Sequence, residues 1–464
     1  MVTLQSIRTY DTGSVRSAVG AILDAYPEVW RKLQTGSSQQ KRVVIKPNWI
    51  QDSHQMKTDI WESIITHPEV LLAVVEVVAE KLQPGGVITV CDAPNTYASF
   101  SRILAHGDVV ARLEATRRRF PGLSIDVIDL RREIWETRDD VIVTRRPNRP
   151  DPLGYVRLDL GSRSLLYGYR GEGRYYGADY DDSVVNRHHH GETHEYLLAG
   201  TPLHCDLFIN LPKLKTHKKT GITCSLKNLV GINGDKNWLP HYTHGVPSSG
   251  GDEFPERRAF WRSEHLLKRI GQTLASRHPR FGTFVYRRAR QMGLRMLGNS
   301  DCIVRNGNWE GNDTCWRMVL DLNRVILYGN PDGTWRSPDA AKPYFTLVDG
   351  IVGGEGNGPI CAEPVAAQIL FGGTDAAAVD AVACRLMGFD PYSIPLVRGA
   401  FKGHPLPIAS CQMDSVLVRD LGAHRDIHLT EVQAAIPDGF RPHFAWQSLV
   451  HHHEKASCSG PLPL

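Results

Sequence analysis

The chain has 464 residues, 41% hydrophobic and 22% charged, with a formal net charge of only +4. That length suits two or three ordinary domains or one large α/β domain with insertions, and the composition supplies a core and excludes global disorder. The near-neutral balance argues against a dedicated nucleic-acid binder. Nine cysteines stand singly, at 91, 205, 224, 302, 315, 361, 384, 411 and 458, with no C-x-x-C pair. Zinc-ribbon and iron–sulfur cluster motifs are therefore missing, and a reducing compartment is expected. The opening MVTLQSIRTYD shows no basic-then-apolar leader, and no run approaches the about 18 apolar residues of a membrane span. The expectation is a soluble, cytoplasmic chain.

In chain order, Arg42–Asn48 (RVVIKPN) is a β-branched run ending at Pro, which predicts a parallel strand and a turn. Helical spacing of apolar residues follows over Pro68–Leu82, then a buried strand over Val87–Cys91, a helix over Tyr97–Arg118 and a strand over Leu123–Leu130. This alternation predicts a doubly wound α/β fold with a mostly parallel sheet. Val141–Thr144, Tyr155–Leu160 and Ser164–Tyr167 alternate as antiparallel strands do, predicting a β-rich insertion. Cys205–Leu211 returns to the parallel pattern. Residues 256–297 read as a basic helical segment rich in arginine, including Arg287, Arg288 and Arg290. A solvated helix face is the plainer reading of that segment; a membrane surface or acidic partner is the alternative. Asn312–Tyr328 reads as a helix capped by Asn312 or Asp313, Phe345–Val348 and Gln368–Phe371 as strands, and Asp375–Met387 as a helix capped by Asp375. His451–Leu464 reads as a frayed end. The divisions expected are an N-terminal α/β half (1–137), the β-rich insertion (138–200), a core strand with a basic site loop (201–255), a basic helical insertion (256–300), a C-terminal α/β half (301–400) and a mixed extension (401–464).

The densest chemistry lies in 206–241, DLFINLPKLKTHKKTGITCSLKNLVGINGDKNWLPH, which holds Lys213, Lys215, His217, Lys218, Lys219, Lys227, Lys236 and His241. Open parallel sheets place ligands beyond the carboxyl ends of their strands, and Leu207–Leu211 leads straight into this stretch. Thr223–Val230 reads as a helix start whose free N–H groups suit an anion. The tips after Lys46-Pro47-Asn48, after Asp92-Ala93-Pro94-Asn95 and at Asn210–His217 then share one sheet edge, with Asp349–Pro359 joining them. Lys213, Lys215, His217 and Lys227 are the catalytic candidates: His217 for its pKa, and a crowded lysine for a lowered pKa that frees its amine. Lys46, Asn48, Asn210, Thr216, Asn228, Trp309 and Asn312 are the substrate-binding candidates. A lysine paired with Asp349 or Glu355 that merely fixes the loop is an equal alternative. Asp349, Glu355 and His241, with Asp92, are oxygen and nitrogen donors for a possible divalent metal ion, although no metal-binding spacing supports it. In Arg187–His194 only His188 and His190 share a strand face. Trp309 with Asn312 reads equally as a capped helix start, Asp235–His241 as a lid, and Glu363 and Asp380 as structural.

Four segments carry a family resemblance. They are VVIKPN with Lys46 and Asn48; NLPKLKTH followed by GITCSLKNLVG; DGIVGGEGNGP with Asp349 and Glu355; and LFGGTDAAAVDAVACRLMGFDP with Asp375 and Asp380. In this order they resemble the DUF362 family of uncharacterised α/β proteins over most of residues 42–400. The resemblance implies a fold and a site but no secure reaction. Many relatives carry a ferredoxin-like module, whose cysteine clusters are missing here, so their electron-transfer role does not carry over. The function expected is an enzyme acting on an anionic, carboxylate- or phosphate-bearing small molecule by Lys/His acid–base chemistry. A non-catalytic binding or scaffold protein using 256–297 is the alternative, and a redox protein ranks below both.

Overall fold

The computed structural model describes residues 1–34, 40–138, 141–177, 182–256 and 304–449. Among these, twelve strands form one mixed sheet. In chain order they are β1 (Val2–Ser6), β2 (Arg42–Pro47), β3 (Val87–Asp92), β4 (Ser124–Asp129), β5 (Leu207–Leu211), β6 (Lys213–His217), β7 (Gly221–Thr223), β8 (Tyr344–Asn357), β9 (Cys361–Val365), β10 (Ile369–Gly373), β11 (Leu417–Asp420) and β12 (Arg425–His428). The order across the sheet is β12-β11-β1-β10-β8-β5-β2-β3-β4, with β6, β7 and β9 attached around the far end of β8. The block β8-β5-β2-β3-β4 is parallel throughout, whereas β10 runs antiparallel to both β8 and β1. The fold is α/β, as expected. The 401–464 stretch also enters the sheet, because β11 pairs with β1 in parallel.

Alternation along the strands divides the core into two layers. Val43, Ile45, Ile209 and Leu211 pack on one face with α1 (Thr12–Asp24) and α2 (Pro68–Lys81). Val44, Phe208 and Val348 pack on the other with α5 (Cys315–Tyr328) and α6 (Ala376–Leu386). Each such Val, Ile or Leu contributes roughly 1.5–3 kcal/mol by leaving water. The same period of two sends Lys46 and Asn210 toward the second face, where α4 (Ser225–Asn228) sits.

Three local expectations are corrected. The helix expected over Tyr97–Arg118 is two, Phe100–Ala105 and α3 (Val109–Arg119). Gly107 breaks them apart with a φ of 64°, at a point where a Cβ would lie 2.8 Å from Pro68. Ser164–Tyr167 is a turn rather than a strand. The expected basic loop is not a loop: Pro212 interrupts one long path, and Lys213–His217 resumes as β6 along the same neighbour, β8. The insertion contains the three-stranded sheet Tyr155–Asp159, Thr193–Ala199 and His189–His190, together with the helix Asp182–His188. The basic segment 256–297, with the arginines expected to meet solvent, a membrane surface or an acidic partner, falls outside the described residues from 257 on, and so does the tail 451–464. No helix among the described residues is long and apolar enough to cross a membrane.

Candidate functional site

β6 is a strand of cations with no exposed member. Lys213, Lys215 and His217 alternate with Leu214 and Thr216, so the three basic side chains share one face. The register against β8 then gives the two lysines different neighbours. Lys213 lies opposite Asp349, and Lys215 opposite Gly354, with an irregularity in between.

Lys213 is therefore an ion-pair lysine. Its Nζ donates to Asp349 Oδ2 at 2.5 Å, and also to Tyr10 Oη at 3.0 Å and the Val352 carbonyl at 3.2 Å. Asp349 accepts further bonds from Tyr10 Oη (2.9 Å) and His67 N (2.8 Å). Tyr10 stacks on His67 with ring centroids 3.5 Å apart, and burial raises its phenol pKa well above the ordinary value. Burial lowers the Lys213 pKa, with Asp349 opposing. Both members of the pair are fully buried, and this arrangement fixes β6 to β8. The alternative in which a lysine pairs with Asp349 is thus the one found for Lys213.

Lys46 is the second paired lysine. Its Nζ sits 2.8 Å from Asp92 Oδ1 and donates to the Pro47 carbonyl (3.0 Å) and Asn228 Oδ1 (3.3 Å). Asn48 Nδ2 also donates to Asn228 Oδ1 (2.7 Å), Asn228 Nδ2 donates to Asn210 Oδ1 (2.7 Å), and Asn210 Nδ2 donates to Tyr344 Oη (2.7 Å) and the Ser225 carbonyl (2.9 Å). This buried amide relay joins β2, α4, β5 and β8. Asn48, Asn210 and Asn228 use these groups within the protein, and only Asn48 Oδ1 is buried without a partner. The helix start expected to offer free N–H groups is also engaged: Ser225 N and Leu226 N donate to Asp380, at 2.7 and 3.2 Å. Asp380 is structural, as expected. Burial raises its pKa to about 7, while those N–H bonds pull it down.

Lys215 and Lys227 are different. Lys215 is 0% exposed, and among the described residues its Nζ reaches only the Ile64 carbonyl and no carboxylate. Burial drives its pKa well below the ordinary value, Lys213 and Lys227 push it further down, and Asp92 opposes. Lys227, on α4 and 8% exposed, has neither a hydrogen bond nor an ion pair to any described residue. Burial lowers its pKa too, with the nearby Cys315 thiol opposing and Lys46 adding. Beside Lys227 stand His217 and His241, both buried; burial holds both imidazoles well below their usual range, and Lys227 depresses each further. Their hydrogen bonds assign the neutral tautomers. His217 Nδ1 accepts from Lys219 N at 3.0 Å, so its proton lies on Nε2. His241 Nδ1 faces the Leu239 carbonyl at 2.9 Å, so its proton lies on Nδ1 and Nε2 is bare. Lys219 completes the group: its Nζ donates to the Asn306 carbonyl and lies 5.0 Å over the Tyr242 ring, and burial brings its pKa to about 7.

The remaining candidates fall outside this cluster. Thr216 Oγ1 donates to the Gly356 carbonyl at 2.9 Å. Trp309 Nε1 donates to the Asp252 carbonyl, and Asn312 Oδ1 accepts from Cys315 N, the first residue of α5; the helix starts later than expected, with Thr314 at its N-cap and no side-chain cap bond there. The three metal candidates have partners within the protein: Asp349 pairs with Lys213, Glu355 accepts from Arg441 N (2.8 Å), and His241 stands among lysines. No group of three or more His, Cys, Asp or Glu among the described residues could hold a metal ion. Asp235–His241 is a packed connector rather than a lid, with Lys236 Nζ on the Ala93 carbonyl (2.9 Å) and Trp238 stacked on His188. His188 ends a helix while His189 and His190 begin a strand, so alternation does not align His188 with His190. Lys219, Tyr10 and the Ile64 carbonyl join the site without being among its sequence candidates. Lys219 was visible in the same lysine run; the other two are brought in by tertiary pairing alone.

Fold and site together define an α/β protein with a buried basic strand where its parallel strands end. The family follows. Residues 126–385, more than half of the chain, match the family described as a domain of unknown function, DUF362, and the chain belongs to it. β2, with Lys46, and Asn48 just after it lie ahead of the matched segment. No curated protein matches. Among solved structures, the chain is similar to a Thermotoga maritima protein, a Northeast Structural Genomics Consortium target, at 9% identity and a TM-score of 0.31. That match covers 76% of this chain and 53% of the other, so this chain spans about half the length of that relative.

Proposed function

We propose that this protein is an enzyme that binds an anionic small molecule among Lys215, Lys227, His217 and His241 and moves a proton on it. One observation carries the reading: among the described residues two buried ammonium groups, Lys215 and Lys227, have no carboxylate partner, whereas Lys46 and Lys213 each have one. An uncompensated buried charge is among the costliest features a fold can retain, and an anionic ligand offsets that cost. The tautomers divide the work. His217 Nε2–H and the ammonium groups donate to the anion, and His241 Nε2 is the bare nitrogen able to take a proton.

The test is native mass spectrometry of the purified full chain with Lys215→Met and His217→Ala variants. An anionic molecule should accompany the wild type and be lost from both variants while they remain folded. Retention of the same ligand by both variants would remove the proposal.

A further inference from the structure

Resting on that reading, we propose that the site takes a doubly charged tetrahedral oxyanion, a phosphoryl group, rather than a single carboxylate. The argument is one of charge and donor count. Among the described residues neither Lys215 nor Lys227 has an ion-pair partner, and the Lys219 Nζ donates to a backbone carbonyl and lies over a tyrosine ring. The carboxylates Asp92 and Asp349 are held by Lys46 and Lys213 at 2.8 and 2.5 Å, and Asp252 accepts from Thr243 N and Thr314 N and Oγ1. A monoanion would compensate one buried ammonium and leave the other bare in a low-dielectric interior, where like charges repel most strongly. Two negative charges balance both.

Shape points the same way. Each ammonium supplies three rotatable donors, and His217 adds a directed Nε2–H from β6. These groups come from different elements: a strand (Lys215, His217), a short helix (Lys227) and the turn after the strand (Lys219). A planar carboxylate offers two oxygens in one plane; a phosphoryl group offers three acceptor oxygens pointing apart. The anion would also meet no competing side-chain acceptor on Lys227, which has none among the described residues.

The experiment is calorimetric titration of the full chain with inorganic phosphate, methyl phosphate, sulfate and acetate at pH 7.5 and matched ionic strength, repeated on Lys227→Met and Lys215→Met. The expected result is saturable binding of phosphate-type dianions at least tenfold tighter than acetate, and a loss of at least tenfold in both variants. Methyl phosphate binding more tightly than inorganic phosphate would mark a phosphate ester as the occupant; the reverse order would mark the free ion. Both orders support the dianion. Acetate binding as tightly as phosphate and sulfate, still lost in the variants, would overturn the dianion inference and leave the anion site standing. Binding unchanged in both variants, or no binding of any anion at millimolar concentration, would overturn the site itself.

Discussion

Replacing Lys227 by methionine should make the unliganded protein more stable and remove its response to anions. Lys227 is 8% exposed, bonded to no described residue, and surrounded by Lys46, His217 and His241. Methionine keeps the length of the side chain and its apolar contacts while removing the charge. Exchanging buried ionic groups for apolar ones of similar volume is neutral to stabilising by about 1–4 kcal/mol, and a charge without a partner belongs at the upper end. With unfolding entropy of ~2 cal/mol/K per residue, a chain of 464 residues carries ~1 kcal/mol/K, so the gain amounts to roughly 1–4 °C in Tm. The pH dependence gives a second readout. Because the folded pKa of Lys227 is lowered, the unfolded chain holds more protons between that pKa and the unfolded value of about 10.4. Wild-type stability therefore rises with pH through that window, with the whole penalty present below it, and Lys227→Met should lose this step. Differential scanning calorimetry of both proteins from pH 7 to 10, with and without phosphate, measures each quantity. A variant at least 2 °C less stable than wild type, with the same pH slope, would refute the reasoning, since Lys227 would then be a satisfied structural group.

Lys46→Met should act oppositely, because it leaves Asp92 buried without its counter-charge; a loss of about 3–5 kcal/mol in urea unfolding is expected, and a loss under 1 kcal/mol would count against the pair. Gly231→Ala should damage the same place, since its Cβ would fall 1.9 Å from Asp92 Oδ1 and 2.7 Å from Lys46 Nζ; a loss of about 1–3 kcal/mol is expected, and wild-type stability would show that the pair has room to move. Stability should fall as the pH drops below about 6.5. His443 is held at about 4 by burial and by Lys218 and Lys219, so between about 4 and 6.5 the unfolded chain takes a proton that the fold refuses, a term of about 3 kcal/mol. His217 and His241 add in the same direction, and urea titrations at pH 7.5, 6 and 5 with equal midpoints would contradict this.

Much of this architecture is readable in one dimension. Val43–Ile45, Val87–Cys91 and Leu207–Leu211 are runs that only a sheet covered on both faces accommodates, and the Asp375 cap marks the start of α6 to the residue. β6 was not readable as a strand, because Lys-Leu-Lys-Thr-His behind a proline looks like a solvated turn until a neighbour is supplied, and that neighbour, β8, lies far along the chain. The roles of Lys213 and Lys215 were beyond reach for the same reason. Two residues apart on one face, they are equivalent in sequence, and only the register on β8 places a carboxylate opposite the first and a glycine opposite the second. Asn48, Asn210 and Asn228 have the composition of a binding surface, yet they bond chiefly to one another and the nearby backbone. Residue type reveals the capacity for hydrogen bonding but not the partner.

The tie between Lys213 and Asp349 spans 136 residues, and this separation constrains how the chain can be made. During synthesis the basic strand leaves the ribosome well before the acid that neutralises it, so the amino-terminal half cannot bury that lysine on its own. Until β8 is made, β5 lacks its neighbour on that side of the sheet, and the pairing that supplies it joins residues from both halves of the chain.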